Sequence, residues 1–513
     1  MPQNFIESRR EQGFLLPPDV RDWLAPDHLA WFVIDAVAQM SLDAFYGAYR
    51  ADGHGAAAYE PSMMVTLLLY AYATKQRSSR AIERHCHQDV AYRVITGNVI
   101  PDHATIARFV VRHEAALAQL FGEVLKLCEK AGLVKAGVIA VDGTRLPGNA
   151  NREHNCRFEE IAREVLAQAR ATDEAEDEQH GEARGDELPE QLRTVEGRRA
   201  FFRQVKEQGE HGDQEQIDTP AGESPGPEYE FDAERIVART QGREGWLRDA
   251  RRQLDQRRWQ QSEPVPRSRP ERLVIAAGRL EDDLEAERRG NQAYEQYRAD
   301  GRMSDGRRFG APPKPYAPPD VPEGKVNVTD PDSKRIKSHG GYVQGYNAQA
   351  VVDQGQIVLA AEITNHSVDW SQLDPMVSAA LDELERAGAR QRPEVALADS
   401  QYWNEQHIDE AIANKHIQVL IPPEASGRAE PRKGWTGGRY DSMRTTLGSE
   451  LGKKLYRKRI QMIEPVFGHT KHNRGFGRFH RRGRAAVRTE WRLLMATHNL
   501  TKLHRHQITT LGA

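Results

Sequence analysis

The chain has 513 residues, with 72 Lys and Arg against 75 Asp and Glu, for a formal charge of −3. A hydrophobic fraction of 38% sustains folded cores, yet no apolar run reaches the ~20 residues of a membrane-spanning helix. Three widely spaced cysteines, Cys86, Cys128 and Cys156, exclude a disulfide-built scaffold and fit a reducing compartment. The opening "MPQNFIESRREQGF" lacks the apolar heart of an export signal, so a cytoplasmic location is expected. The balanced total hides an asymmetry. From Arg428 onward there are 20 Lys and Arg against 5 Asp and Glu, a net +15, which leaves −18 for the rest. Such a basic segment suits a polyanion such as nucleic acid, the bland alternative being a solvated tail.

In chain order, residues 1–135 read as helical. "PSMMVTLLLYAYATKQ" is a strongly apolar helix with Pro61 in its first turn. The following "SSRAIERHCHQDVAYRVITGNVIPDHATIARFVVRH" breaks into short helices, with Ser79 and Asp102 as caps and Gly97 and Pro101 as punctuation. Short helices carrying Arg and His fit a helix-turn-helix-like DNA-binding unit, and a compact helical bundle reads the same way. "GVIAVDGTRLPGNA" predicts a buried strand over Val138 to Val141 that delivers Asp142 at a sheet edge. Residues 155–325 are dense in charge and broken by stretches such as "DTPAGESPGPEYE" and "GAPPKPYAPPDVPEG". Between the breaks, Ile236, Leu247, Leu254, Leu273, Leu280 and Leu284 recur at roughly heptad spacing. This predicts charged antiparallel helices, coiled-coil-like, inserted into the neighbouring fold and closed by a Pro-rich linker. From residue 340 the period changes again. A hairpin is expected over 340–364, then a helix near 371–388, a short strand ending at Asp399, a helix from about Asn404 and a strand over 416–423. The order implies a mixed α/β sheet.

Three carboxylates stand out by position: Asp142 and Asp399 at strand ends, and Glu464 inside the basic C-terminal segment. Residues distant in sequence converge outside strand ends in α/β sheets, and carboxylates with water and phosphate oxygens are the ligand set of Mg²⁺. Aspartates after strands are also common turn and cap residues. Pro465 disfavours helix at the residue before it, so Glu464 is expected at a helix start or kink. Glu464 and Lys471 are seven residues apart and share a helix face. Nearby Arg and Lys suit DNA phosphates.

These residues resemble the bacterial insertion-sequence transposases of the DDE type. "YEPSMMVTLLLYAYATKQRSSRAIERHCHQDVAYRVITG" with "PDHATIARF" is similar to the N-terminal helical DNA-binding domain of one large group. "VIAVDGTRLP", "DPDSKRIKSHGGYVQGYNAQAVVD" and "ALADSQYW" resemble the first-aspartate, second-strand and second-aspartate blocks. "YRKRIQMIEPVFGHTK" resembles the tyrosine–arginine–glutamate–lysine signature, and "MATHNLTKL" the closing helix. The resemblance implies a ribonuclease H-like mixed α/β sheet with flanking helices over 136–154 and 326–513. An all-α DNA-binding domain over 1–135 precedes it, and the charged helical insertion over 155–325 interrupts it. It further implies that Asp142, Asp399 and Glu464 are the catalytic, metal-binding triad for two Mg²⁺ ions, with Mn²⁺ as a substitute. Tyr456, Arg459 and Lys471 would contact the backbone of the element end, with Arg457, Lys458 and Arg474 beside them. Two departures stand: the Arg459–Glu464 spacing is one residue longer than the usual pattern, and Ser400 replaces a frequent glycine. The implied activity is metal-dependent cleavage and strand transfer at terminal inverted repeats of double-stranded DNA, by a homo-oligomer on DNA with no membrane partner. The alternatives are a catalytically silent DNA-binding regulator and a simple nuclease on the same fold. Three lesser features have bland readings: "HCH" at 85–87 with His103 as a polar helix face, Tyr402 and Trp403 as packing at a helix start, and "RGFGRFHRRGR" as a basic loop on duplex phosphates.

Overall fold

The computed structural model describes residues 19–49, 57–180, 232, 236, 242–260, 264–338, 340–424 and 434–511. Two compact units emerge: Met1–Asn155 with Ser262–Pro266 and Asn327–Ala513, and Cys156–Gln261 with Arg267–Val326. The expected break "DTPAGESPGPEYE" lies outside the described residues.

The first unit opens with α1 (Leu29–Ala38), α2 (Pro61–Ala73), α3 (Ser79–Gln88), α4 (Val90–Ile95), α5 (His103–Arg112) and α6 (Glu114–Lys130). Helix α2 is buried on nearly every side, which is why its sequence is apolar all round rather than striped. Pro61 starts it, and the Glu60 carboxylate accepts the Met63 amide at 3.1 Å. Asp102 caps α5 as expected, accepting the Thr105 amide at 2.8 Å. Ser79 is instead the first helical residue of α3, and Ser78 flanks it without a side-chain cap.

Strand β1 (Val138–Pro147) follows, and the second unit then intervenes with α7 (Phe158–His180), α8 (Arg243–Gln260) and α9 (Arg269–Ala299). Helices α8 and α9 pack together. Ile236, Trp246, Ala293 and Tyr294 form a small core, Leu254, Leu273, Leu280 and Leu284 are buried, and Leu247 is half-buried. Arg258 bridges the pair through Asp283 at 2.8 Å and Asp282 at 3.1 Å. A paired, charge-laced helical unit is what the near-heptad spacing predicts.

Back in the first unit come β2 (Lys334–Ser338), β3 (Gly341–Asp353), β4 (Val358–Thr364), α10 (Leu373–Ala387), β5 (Val395–Leu397), α11 (Glu405–Ala413) and β6 (Gln418–Leu420). Helices α12 (Gly438–Gly448), α13 (Glu450–Gly468) and α14 (Arg484–Leu511) close the chain. The sheet runs β6–β5–β1–β3, with β2 and β4 both pairing with β3. Strands β2, β3, β4 and β1 are joined antiparallel, whereas β1, β5 and β6 run parallel, so the sheet is mixed. The first strand is central and outruns its parallel neighbour. Asp142 therefore sits inside β1, opposite Ala350, and not at an edge.

Candidate active site

Strands β1 and β5 pair in parallel as Val138 with Val395, Ile139 with Ala396 and Ala140 with Leu397. Two residues further along each strand lie Asp142 and Asp399. Asp399 is still extended, at φ −81° and ψ 172°, and side chains two apart share a face. The two carboxylates thus lie close together, one on β1 and one just past the end of β5, near enough for the charge of Asp399 to act on Asp142. Each is anchored locally: Asp142 Oδ1 accepts the Gly143 amide and Asp399 Oδ1 the Gln401 amide, both at 2.8 Å. Burial, then the Asp399 charge, lifts the Asp142 carboxyl to about 6, against the pull of Arg459. Burial likewise raises Asp399, with Asp369 adding to it. Two crowded carboxylates short of countercharge are a place for a cation.

A third acid lies close by, and sequence reasoning missed it. Asp369 is 1% exposed and accepts from Asn347 Nδ2 and Gln349 Nε2 at 2.7 Å and from Arg145 Nη2 at 2.8 Å. Gly143 pairs across the sheet with Gln349, and Arg145 with Asn347. A Cβ at Gly143 would meet Gln349 Nε2 at 2.2 Å and Asn347 Oδ1 at 2.7 Å, so this position must be glycine. The Tyr402 hydroxyl, fully buried, bonds Gln349 Oε1. The available signal was the pair of amides in "YNAQAVV": polar residues two apart, on one face of an otherwise apolar strand.

Helix α13 brings the basic groups. Arg459 Nη1 donates to Asp142 Oδ2 at 2.9 Å, and its guanidinium lies 6.0 Å from the Tyr456 ring centroid. The Tyr456 hydroxyl donates to the Ala398 carbonyl at 3.3 Å, tying the helix to the residue before Asp399. Arg457 is exposed, and Lys458 Nζ donates to Gln354 Oε1 at 2.9 Å. Lys471 is half-buried; burial and the nearby Arg145 lower its pKa while Asp142 opposes them. Its ammonium has no hydrogen bond or ion pair among the described residues.

Three expectations are corrected. Glu464 is exposed and does not join the two aspartates. It lies five residues after Arg459, about 140° around a regular helix, while Ile463 takes the buried side. Of the two readings at Pro465, a kink or a helix start, the helix start does not hold. Helix α13 starts at Glu450, capped by Ser449, and runs through Pro465 before a π-helical turn at His469–Asn473. Arg474 is not at the surface: it is buried and donates to the Leu494 and Tyr72 carbonyls, each at 2.8 Å, and to Thr497 Oγ1 at 2.6 Å. The segment around it is an irregular basic loop anchored in the core. Phe476 and Phe479 are fully buried, and Arg481 and Arg482 are held by Glu114 and the Asn149 carbonyl. Among the described residues no three His, Cys, Asp or Glu form a ready cage for a metal. Cys86 faces the core while His85 stacks on Tyr92 and His103 bonds Glu83. Trp403 packs on Tyr440, ring centroids 5.0 Å apart.

Residues 18–112 match the family model of a Transposase domain (DUF772), and residues 300–500 match that of a Transposase DDE domain. The second match holds Asp399, Glu464 and Lys471; Asp142 lies outside both, across the helical insertion. No curated protein and no solved structure matches the chain.

Proposed function

The chain belongs to the insertion-sequence DDE transposases, and from that membership we propose a metal-dependent phosphoryl-transfer enzyme acting on DNA. In this reading water cleaves at the terminal inverted repeats of the element, and the freed 3′-hydroxyl then attacks target DNA. The observation that carries it is the close placement of Asp142 and Asp399 at the point where β5 ends beside β1. Two carboxylates fit Mg²⁺, which binds through one or two of them and keeps waters and phosphate oxygens as its other ligands; Mn²⁺ accepts the same oxygens. When bound, such a cation polarises the phosphoryl oxygen and lowers the pKa of attacking water. Lys471, half-buried near Asp142 and Arg145 with its ammonium free, is suited to a DNA phosphate. Arg459 compensates Asp142 and, with a cation held there, would be available to a second phosphate. Arg457 and Lys458 flank them.

The mixed sheet with one acid on β1 and one just past its parallel neighbour β5 supports a ribonuclease H-like catalytic part. The short helices α3 to α5, the last two capped by Asp89 and Asp102, with exposed Arg80, Arg84 and Arg108 support DNA binding by residues 1–135. A multimer bridging two element ends completes the reading, on family grounds.

The test is Asp142→Asn in the full-length protein, on duplexes carrying the inverted repeats that flank its gene. Cleavage in Mg²⁺ is expected to fall roughly 10³-fold or more, with end binding by gel shift unchanged. Unaltered cleavage would overturn the enzymatic reading in favour of a DNA-binding regulator. Cleavage without joining, on paired ends, would identify a simple nuclease.

A further inference from the structure

Beneath the paired aspartates lies a polar cluster that none of the steps above uses. Asn347, Gln349 and Tyr402 are fully buried and Asp369 is 1% exposed. Burying so much polarity is unfavourable unless the groups are bonded to one another; most of them are, while Asn347 Oδ1 and Arg145 Nε have no partner among the described residues. Arg145 Nη2 alone reaches three acceptors from two loops: the Ser367 carbonyl at 3.3 Å, Asp369 Oδ2 at 2.8 Å and Gln401 Oε1 at 2.8 Å.

The placement of these contacts has a direction. Arg145 is three residues after Asp142 on β1, and Gln401 is two residues after Asp399. A second tie runs from Tyr402 through Gln349 to Asp369. Two independent connections therefore lead from the Asp399 loop to one carboxylate, and from it through Arg145 back to the strand that carries Asp142. Beyond Ala140 and Leu397 the backbone ladder between β1 and β5 has ended, so this network bridges the two aspartate-bearing segments on one side, as Arg459 and Tyr456 of α13 do on another.

We infer that Arg145 and Asp369 are positioning residues that set the separation of Asp142 and Asp399 and so define the cation site. Asp369 is not itself a ligand, because its oxygens are taken by Asn347, Gln349 and Arg145. The inference rests on the proposed reading of Asp142 and Asp399 as the cation-binding pair.

The experiment measures Mn²⁺ binding to the full-length protein without DNA, by electron paramagnetic resonance, beside thermal melting. Asp369→Asn keeps the shape and the bonds from Asn347 and Gln349 but presents an amide donor to Arg145, releasing it from Gln401. Mn²⁺ affinity is expected to fall about 10- to 100-fold with a cooperative melt retained. Arg145→Lys keeps the charge but loses the three-way fan, and affinity is expected to fall in the same direction. Lowered melting with wild-type Mn²⁺ affinity in these variants would overturn the inference. If Asp369→Asn does not fold, Arg145→Lys decides by the same criterion. Absence of Mn²⁺ binding by the wild-type protein would instead overturn the reading of the aspartate pair, and the inference with it.

Discussion

Pro465 has no amide hydrogen, so in α13 the carbonyl four residues earlier, Gln461, has no helical donor. Gln356, in the turn between β3 and β4, fills that vacancy: its Nε2 donates to the Gln461 carbonyl at 2.9 Å. The same residue is held by Lys502 Nζ at 3.1 Å through Oε1, and its carbonyl meets His498 Nε2 at 3.1 Å. It sits at φ +60°, an unusual backbone for a glutamine. This bond explains why the helix runs on past a residue that local rules read as its start. Gln356→Ala keeps the left-handed strain but leaves the exposed Gln461 carbonyl without its donor, and should lower stability by about 0.5–1.5 kcal/mol. The urea midpoint reports it, and a midpoint equal to wild type would mean that water serves the carbonyl equally well.

Helix α14 illustrates the next scale. Its first turn is met by two buried carboxylates: Asp330 Oδ1 accepts the Gly483 amide at 3.2 Å, and Asp332 Oδ2 accepts the Arg484 amide at 2.7 Å. Acids at a helix N-terminus satisfy free amides and meet the positive end of the dipole. The Tyr346 hydroxyl also donates to Asp330 at 2.9 Å. Burial, and then the Asp332 charge, push the Asp330 carboxyl up to about 6. A carboxyl raised on folding holds its proton to higher pH than in the unfolded chain. Its protonation stabilises the fold below the ordinary carboxylate range, and that stabilisation is lost as pH rises through about 6, up to about 3 kcal/mol in all. Relative to Asp330→Asn, the wild-type protein should therefore gain stability as pH falls from 7 toward 4. Paired melting curves across that range test it; a difference independent of pH would show that Asp330 titrates normally. At this scale the sequence was legible wherever periodicity or a cap governs. The hairpin, α10, β5 and the Asp102 cap all lie where pattern places them. The acids of "DPDSKR" cap a helix some 150 residues away, a role no local pattern encodes.

For the molecule as a whole, what could be read was the chemistry delivered by strands, and what could not was the chemistry set by packing between distant segments. Asp142 and Asp399 were legible because a short apolar run ending in an acid is a local signal, and the parallel register then brings the two together. Asp369 was not, since only the folded sheet shows Asn347, Gln349 and Arg145 gathered on it; Arg474 misled because charge alone does not reveal burial. The two ends of the insertion have a geometry that yields the last prediction. The first unit breaks after Asn155 and resumes at Asn327, taking only Ser262–Pro266 from the stretch between, and the Asn155 and Asn327 side chains approach within 3.5 Å of each other. Both are fixed within that unit: Asn155 Nδ2 donates to Gln344 Oε1 at 3.0 Å and Asn327 Nδ2 to the Asn151 carbonyl at 2.8 Å. A connection of about five residues can close so short a gap, and loop closure favours the shorter chain. Replacing residues 157–325 by such a Gly- and Ser-rich turn removes none of Asp142, Asp369, Asp399, Arg459 or Lys471, and should leave a soluble protein with one cooperative melt and wild-type Mn²⁺ affinity. Loss of the cooperative melt would show that the first unit depends on the helical unit to fold. A folded variant that binds Mn²⁺ but no longer joins paired element ends would place the insertion in the assembly on DNA rather than in the chemistry.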